Sequence, residues 1–105
     1  MDIAAPSDLM KSSALIDGLW VGADSGKTIE VKNPATDEKL GTVPLMGAAE
    51  TRRAIAAAEK AFPAWRAKTA KERASLLRKW FELIMANQEP LARIMTMEQG
   101  KPIAE

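Results

Sequence analysis

The stretch Ala14-Leu15-Ile16-Asp17-Gly18-Leu19-Trp20-Val21 decides how the first half of this chain folds. Two apolar triplets flank Asp17-Gly18, a dipeptide that supplies positive φ at both centres of a type I′ turn, whose twist matches that of paired antiparallel strands. A tight hairpin is expected. Working outward toward the C-terminus, Gly22 to Gly26 punctuate the chain. Thr28-Ile29-Glu30-Val31-Lys32 then sets Ile29 and Val31 on one face against Thr28, Glu30 and Lys32, the period-2 pattern of a half-buried strand. Asn33-Pro34-Ala35-Thr36-Asp37 ends that strand with turn formers, and Lys39-Leu40-Gly41-Thr42-Val43-Pro44-Leu45 fits the returning strand, with Pro44 restricting it to an edge or an end. In the other direction, residues 1–13 carry Pro6, Ser7, Asp8, Ser12 and Ser13 without sustained periodicity, and read as a loosely held tail with a short helical turn around Leu9 and Met10. Residues 14–46 are therefore β-rich.

Residues 47–105 change period. Glu50 stands where the first turn of a helix favours a negative charge, and Ile55, Ala58 and Phe62 at i, i+3 and i+7 predict a buried stripe. Pro63 is expected to stop or kink that helix. Thr69-Ala70-Lys71-Glu72 has the spacing of a capping box and announces a second helix. In it Leu76, Leu77, Trp80, Phe81, Ile84 and Met85 form a wide apolar face, with Lys71, Arg78, Lys79 and Glu82 off it. A third helix follows Asn87-Gln88-Glu89, with Pro90 in its first turn, Leu91, Ile94 and Met95 inward, and Gly100 as a left-handed stop. The fold class is α/β: β-hairpins followed by three amphipathic helices.

Composition sets what such a chain can do. Its 105 residues are 47% hydrophobic and 28% charged, the balance of a globular protein with one modest core. Fifteen basic against fourteen acidic residues leave a net charge of +1, too little for the positive field that drives nucleic-acid binding. The start lacks the basic and apolar regions of a secretion signal, and no run approaches a membrane span, so a cytoplasmic setting is expected, with no nucleic-acid or membrane partner. There is no Cys and no His, which removes the thiolate nucleophile, the disulfide, and the commonest general base and metal ligand.

The remaining chemical candidates read as structural. Gly100-Lys101 lacks the phosphate-loop pattern, because Met95 stands where its first Gly belongs and Pro102 where its Ser or Thr belongs. Glu72, Glu82, Glu89 and Glu98 have no base or second carboxylate spaced to partner them, and capping and surface pairing account for them. Basic residues from Arg52 to Lys79 are interspersed with Glu50, Glu59, Glu72 and Glu82, the pattern of a solvated face. From the residues alone the chain is either a small α/β piece with amphipathic helices and no assigned function or a free-standing helical module docking a partner through Trp80, Phe81 and Ile84.

A resemblance separates the two. Leu15-Ile16-Asp17-Gly18-Leu19-Trp20-Val21, Val31-Lys32-Asn33-Pro34-Ala35-Thr36 and Leu40-Gly41-Thr42-Val43-Pro44 follow in the order and spacing of the opening of the aldehyde dehydrogenase superfamily. Ala61-Phe62-Pro63-Ala64-Trp65-Arg66, Glu72-Arg73-Ala74-Ser75-Leu76-Leu77-Arg78-Lys79-Trp80 and Glu98-Gln99-Gly100-Lys101-Pro102 resemble later segments of the same family. Within it, Thr69 to Ala74, Arg78 to Phe81 and Leu91 to Thr96 are most similar to bacterial succinate-semialdehyde dehydrogenases of GABA degradation. The resemblance covers residues 14–105 and implies the amino-terminal part of a Rossmann-like cofactor domain in a longer enzyme.

That enzyme would oxidise succinate semialdehyde or a related aldehyde to the acid with NADP or NAD. A cysteine thiolate would form a thiohemiacetal, and the enzyme would work as a homotetramer or homodimer. None of the family's catalytic or cofactor-binding residues falls on this chain, which is expected to be inactive by itself. The resemblance carries over one site: the backbone carbonyls of Val31 and Lys32 match a position that binds a structural monovalent cation in some members, and carbonyl oxygens suit hard cations.

Overall fold

The computed structural model describes residues 9–105. Residues 1–8 of the anticipated tail lie outside the described residues. The chain forms β1 (Ala14–Ile16), β2 (Leu19–Val21), β3 (Thr28–Lys32) and β4 (Lys39–Pro44), then α1 (Ala48–Ala67), α2 (Ala70–Ala86) and α3 (Gln88–Gln99). β1 pairs with β2 and β3 with β4, giving two separate antiparallel hairpins. Asp17 and Gly18 adopt φ of 54° and 76°, as the type I′ turn demands. In the second hairpin Val31 faces Gly41 and Lys32 faces Lys39, so Leu40 is an extra residue and the register shifts at that step. Its turn is tied by the Asn33 side chain, whose Oδ1 accepts from the Ala35 N–H at 2.9 Å, while Asp37 takes a positive φ of 61°.

The α2 cap forms as its spacing predicts. The Glu72 N–H donates to Thr69 Oγ1 at 3.2 Å, and the Thr69 N–H donates to Glu72 Oε2 at 3.0 Å. Thr69→Ala is expected to cost about 1 kcal/mol, read as a lower urea midpoint, because it strands one helical N–H without its acceptor. α3 stops at Gly100, whose φ is 84° and whose N–H donates to the Thr96 carbonyl at 2.8 Å.

Three expectations meet a different structure for physical reasons. Of the stop or kink expected at Pro63, the stop does not occur, since α1 continues to Ala67. So near the C-terminal end a proline forfeits one backbone bond, and only one further turn follows it. The stripe on α1 is also rotated. Glu50 is buried and Ala54 and Ala57 are half-buried, whereas Ile55 and Phe62 are 61% and 55% exposed. α1 meets β1, and the side of the helix that loses solvent is the one with the small alanines. On α3, Leu91 and Ile94 turn partly inward, but Met95 is exposed.

No hydrophobic side chain among the described residues is buried. α2 touches α3, and α3 touches β3, where a Cβ built on Gly100 would lie 3.4 Å from Pro34 Cγ. Otherwise α2 stands open. At 100° per residue Leu76, Leu77, Trp80, Phe81, Leu83, Ile84 and Met85 sweep an arc of about 200°, roughly twice the stripe of a helix covered on one side. α3 is the main element that α2 meets, so most of this arc is exposed.

Candidate functional site

Val31 and Lys32, the expected cation position, lie at the end of β3, with Val31 half-buried and Lys32 exposed. A regular strand turns successive carbonyls to opposite sides, and the register shift between these two residues marks where this hairpin departs from regularity. The Lys32 ammonium lies 3.8 Å from Asp37 Oδ1 across the turn. Among the described residues no three His, Cys, Asp or Glu side chains converge as metal ligands.

The helical carboxylates do what capping and pairing require. Glu72 closes its cap, Glu82 accepts from Arg78 at 3.4 Å, and Glu89 accepts from Arg93 at 2.8 Å. Lys101 is half-buried beside a shallow groove between α2, α3 and the final residues, lined by Ile84, Leu91, Met95, Pro102 and Ile103. Thr96 and Glu105 also line it, but no side-chain hydrogen bond or ion pair described joins either of them to Lys101.

One polar cluster does form, and sequence reasoning missed it by placing Glu50 on a solvated face. Glu50 is 6% exposed. Its Oε1 accepts from the Gly47 N–H at 3.3 Å, and its Oε2 accepts from the Asp24 N–H at 3.1 Å. Arg53, one turn along α1, donates to Asp24 Oδ1 at 2.6 Å. Bonds from its own N–H and those of Asp24 and Gly47, with the nearby Arg53 charge, hold the Glu50 carboxyl below the ordinary Glu value of 4.5, against an opposing desolvation. Part of this was readable: Gly47 followed three residues later by Glu50 is the reach-back half of a capping box. The partner 26 residues upstream has no local signature.

Among the described residues neither this cluster nor the groove assembles a catalytic centre, and the fold is two hairpins followed by three helices. The comparisons identify the family. The aldehyde dehydrogenase family model matches residues 20–105, and the chain belongs to that family. It is 66% identical over 97 residues to a glutarate-semialdehyde dehydrogenase of Pseudomonas aeruginosa, a match covering 92% of this chain and 20% of that protein. To the NADP(+) succinate-semialdehyde dehydrogenase GabD of Escherichia coli it is 61% identical over 99 residues, covering 94% of this chain and 20% of that protein. The solved succinate-semialdehyde dehydrogenase of Burkholderia pseudomallei superposes with a TM-score of 0.92 at 59% identity, covering 95% of this chain and 21% of that one. The chain thus spans about one fifth of the length of the curated relatives it matches.

Proposed function

We propose that this chain is the amino-terminal part of an NAD(P)-dependent aldehyde dehydrogenase that oxidises a short aldehyde acid, succinate or glutarate semialdehyde, to the dicarboxylic acid. The observation that carries the reading is the match of similar strength to two enzymes named for these two substrates. Their substrates differ by one methylene and share an aldehyde at one end and a carboxylate at the other. A single methylene in a pocket is worth only ~1–3 kcal/mol of discrimination, so a common segment serving both chain lengths is reasonable.

The role of the chain in that enzyme is architectural. It has no Cys to attack the aldehyde and no Gly-rich turn after a strand to cradle a pyrophosphate, so its residues do not fit the dinucleotide or the nucleophile. The cysteine, the oxyanion donors and the NADP or NAD contacts are assigned to the remainder of the enzyme, together with the surfaces of a homodimer or homotetramer. A monovalent cation on the Val31 and Lys32 carbonyls is proposed on the family resemblance. A polypeptide of the relatives' length that begins with this sequence is expected to reduce NAD(P)+ with succinate or glutarate semialdehyde, and the 105-residue chain alone is expected not to. Turnover by the isolated chain, or none by the long polypeptide with either aldehyde, would overturn the proposal.

A further inference from the structure

We propose that Asp24, Glu50 and Arg53 form a polar clasp that locks the first turn of α1 to the β2–β3 connection, so that loop and helix start move as one body where no apolar core joins them.

The case rests on how the bonds are divided. Glu50 uses both carboxylate oxygens on different elements: Oε1 takes the N–H of Gly47 at the start of its own helix, and Oε2 takes the N–H of Asp24 in the loop. Asp24 is gripped twice, by its N–H through Glu50 and by its carboxylate through Arg53. These two bonds span 26 and 29 positions, and the other side-chain hydrogen bonds described join residues no more than four apart. The loop is internally set for this grip. The Gly26 N–H donates to the Ala23 carbonyl at 2.9 Å with Gly26 at φ 72°, which turns the chain just after Asp24. Glu50 is also the buried end of the Glu50, Ala54, Ala57 side of α1, so the clasp sits where the helix approaches the β half.

The chemistry is specific to glutamate. Glutamine keeps one acceptor and turns an NH2 donor toward the other N–H, so it cannot serve both Gly47 and Asp24. Aspartate is one methylene too short to reach from the cap to the loop. Arg53 supplies a positive charge that acts on both carboxylates, Asp24 through a hydrogen bond and Glu50 through space, and Lys27 lines the concavity beside Asp24 and Glu50. A protonated Glu50 has a donor in place of one acceptor. Because its carboxyl is held below the ordinary value, the clasp is complete above about pH 4.5 and opens as the pH falls through the lowered value.

The test is amide hydrogen exchange in the full chain. Glu50→Gln and Glu50→Asp are expected to speed exchange at the Asp24 N–H by about tenfold, the loss of one such bond. Gly26, bonded to Ala23, and Arg73, bonded to Thr69, should remain as in the parent and report that the loop turn and α2 are intact. Arg53→Met should speed Asp24 by a smaller factor and leave Gly47 protected. Unchanged Asp24 exchange in Glu50→Gln and Glu50→Asp would overturn the clasp. If the variants unfold, with Arg73 accelerated equally, the parent chain is titrated with acid instead. Selective loss of Asp24 protection at a pH where Arg73 stays protected supports the clasp, and protection of Asp24 that outlasts that of Arg73 overturns it.

Discussion

Trp80→Ala is expected to lower the stability of a polypeptide of the relatives' length by ~3–5 kcal/mol and that of the 105-residue chain by less than about 0.5 kcal/mol. The contrast follows from where Trp80 stands. It is 63% exposed here, within the wide apolar arc of α2, so its removal deletes few contacts that the chain makes by itself. Covered on both sides in a complete enzyme, the same indole would leave a cavity whose cost adds to the lost transfer energy. Urea midpoints of the long polypeptide with and without the substitution measure the first number. Binding of a hydrophobic dye by the 105-residue chain, expected to be strong and to fall in Trp80→Ala, measures the exposure behind the second. A loss in the long polypeptide as small as that in the 105-residue chain would mean that α2 faces solvent there as well.

The second large effect is expected at Gly100. Gly100→Val should cost about 2 kcal/mol, since a β-branched residue is forced into the left-handed region. A Cβ alone would sit 3.4 Å from Pro34 Cγ, an ordinary contact, so the backbone conformation carries the cost. Gly100→Asn tolerates the left-handed region and should recover most of the loss. The readout is the urea midpoint, supported by exchange at the Gly100 N–H, which closes α3 on the Thr96 carbonyl. A valine variant as stable as the parent would show that the end of α3 changes conformation without cost.

How far the sequence could be read depends on the range of the interaction involved. The type I′ turn at Asp17-Gly18, the Thr69–Glu72 box and the Gly100 stop were all legible, because each is set by bonds and φ preferences within four residues. The stop at Pro63 did not occur, because only one helical turn follows it and few backbone bonds depend on it. The stripe Ile55, Ala58 and Phe62 obeyed helical periodicity but named the wrong side. Periodicity shows that a helix has an apolar face, and in α1 Ala54 and Ala57 are the half-buried residues instead. In the candidate site, the absence of Cys and His was final from composition alone, whereas Glu50 was hidden among surface carboxylates.

By itself, then, the sequence determined the element order, the turns and caps, the family, and the lack of a thiolate nucleophile. Tertiary structure alone decided which side of α1 is covered, that Glu50 and Arg53 grip Asp24 across more than twenty positions, and that α2 presents its apolar arc to solvent. The physical reason is the same in each case. Backbone torsions and capping bonds are settled between neighbours along the chain, while burial and long-range polar pairing depend on how whole elements come to rest against one another.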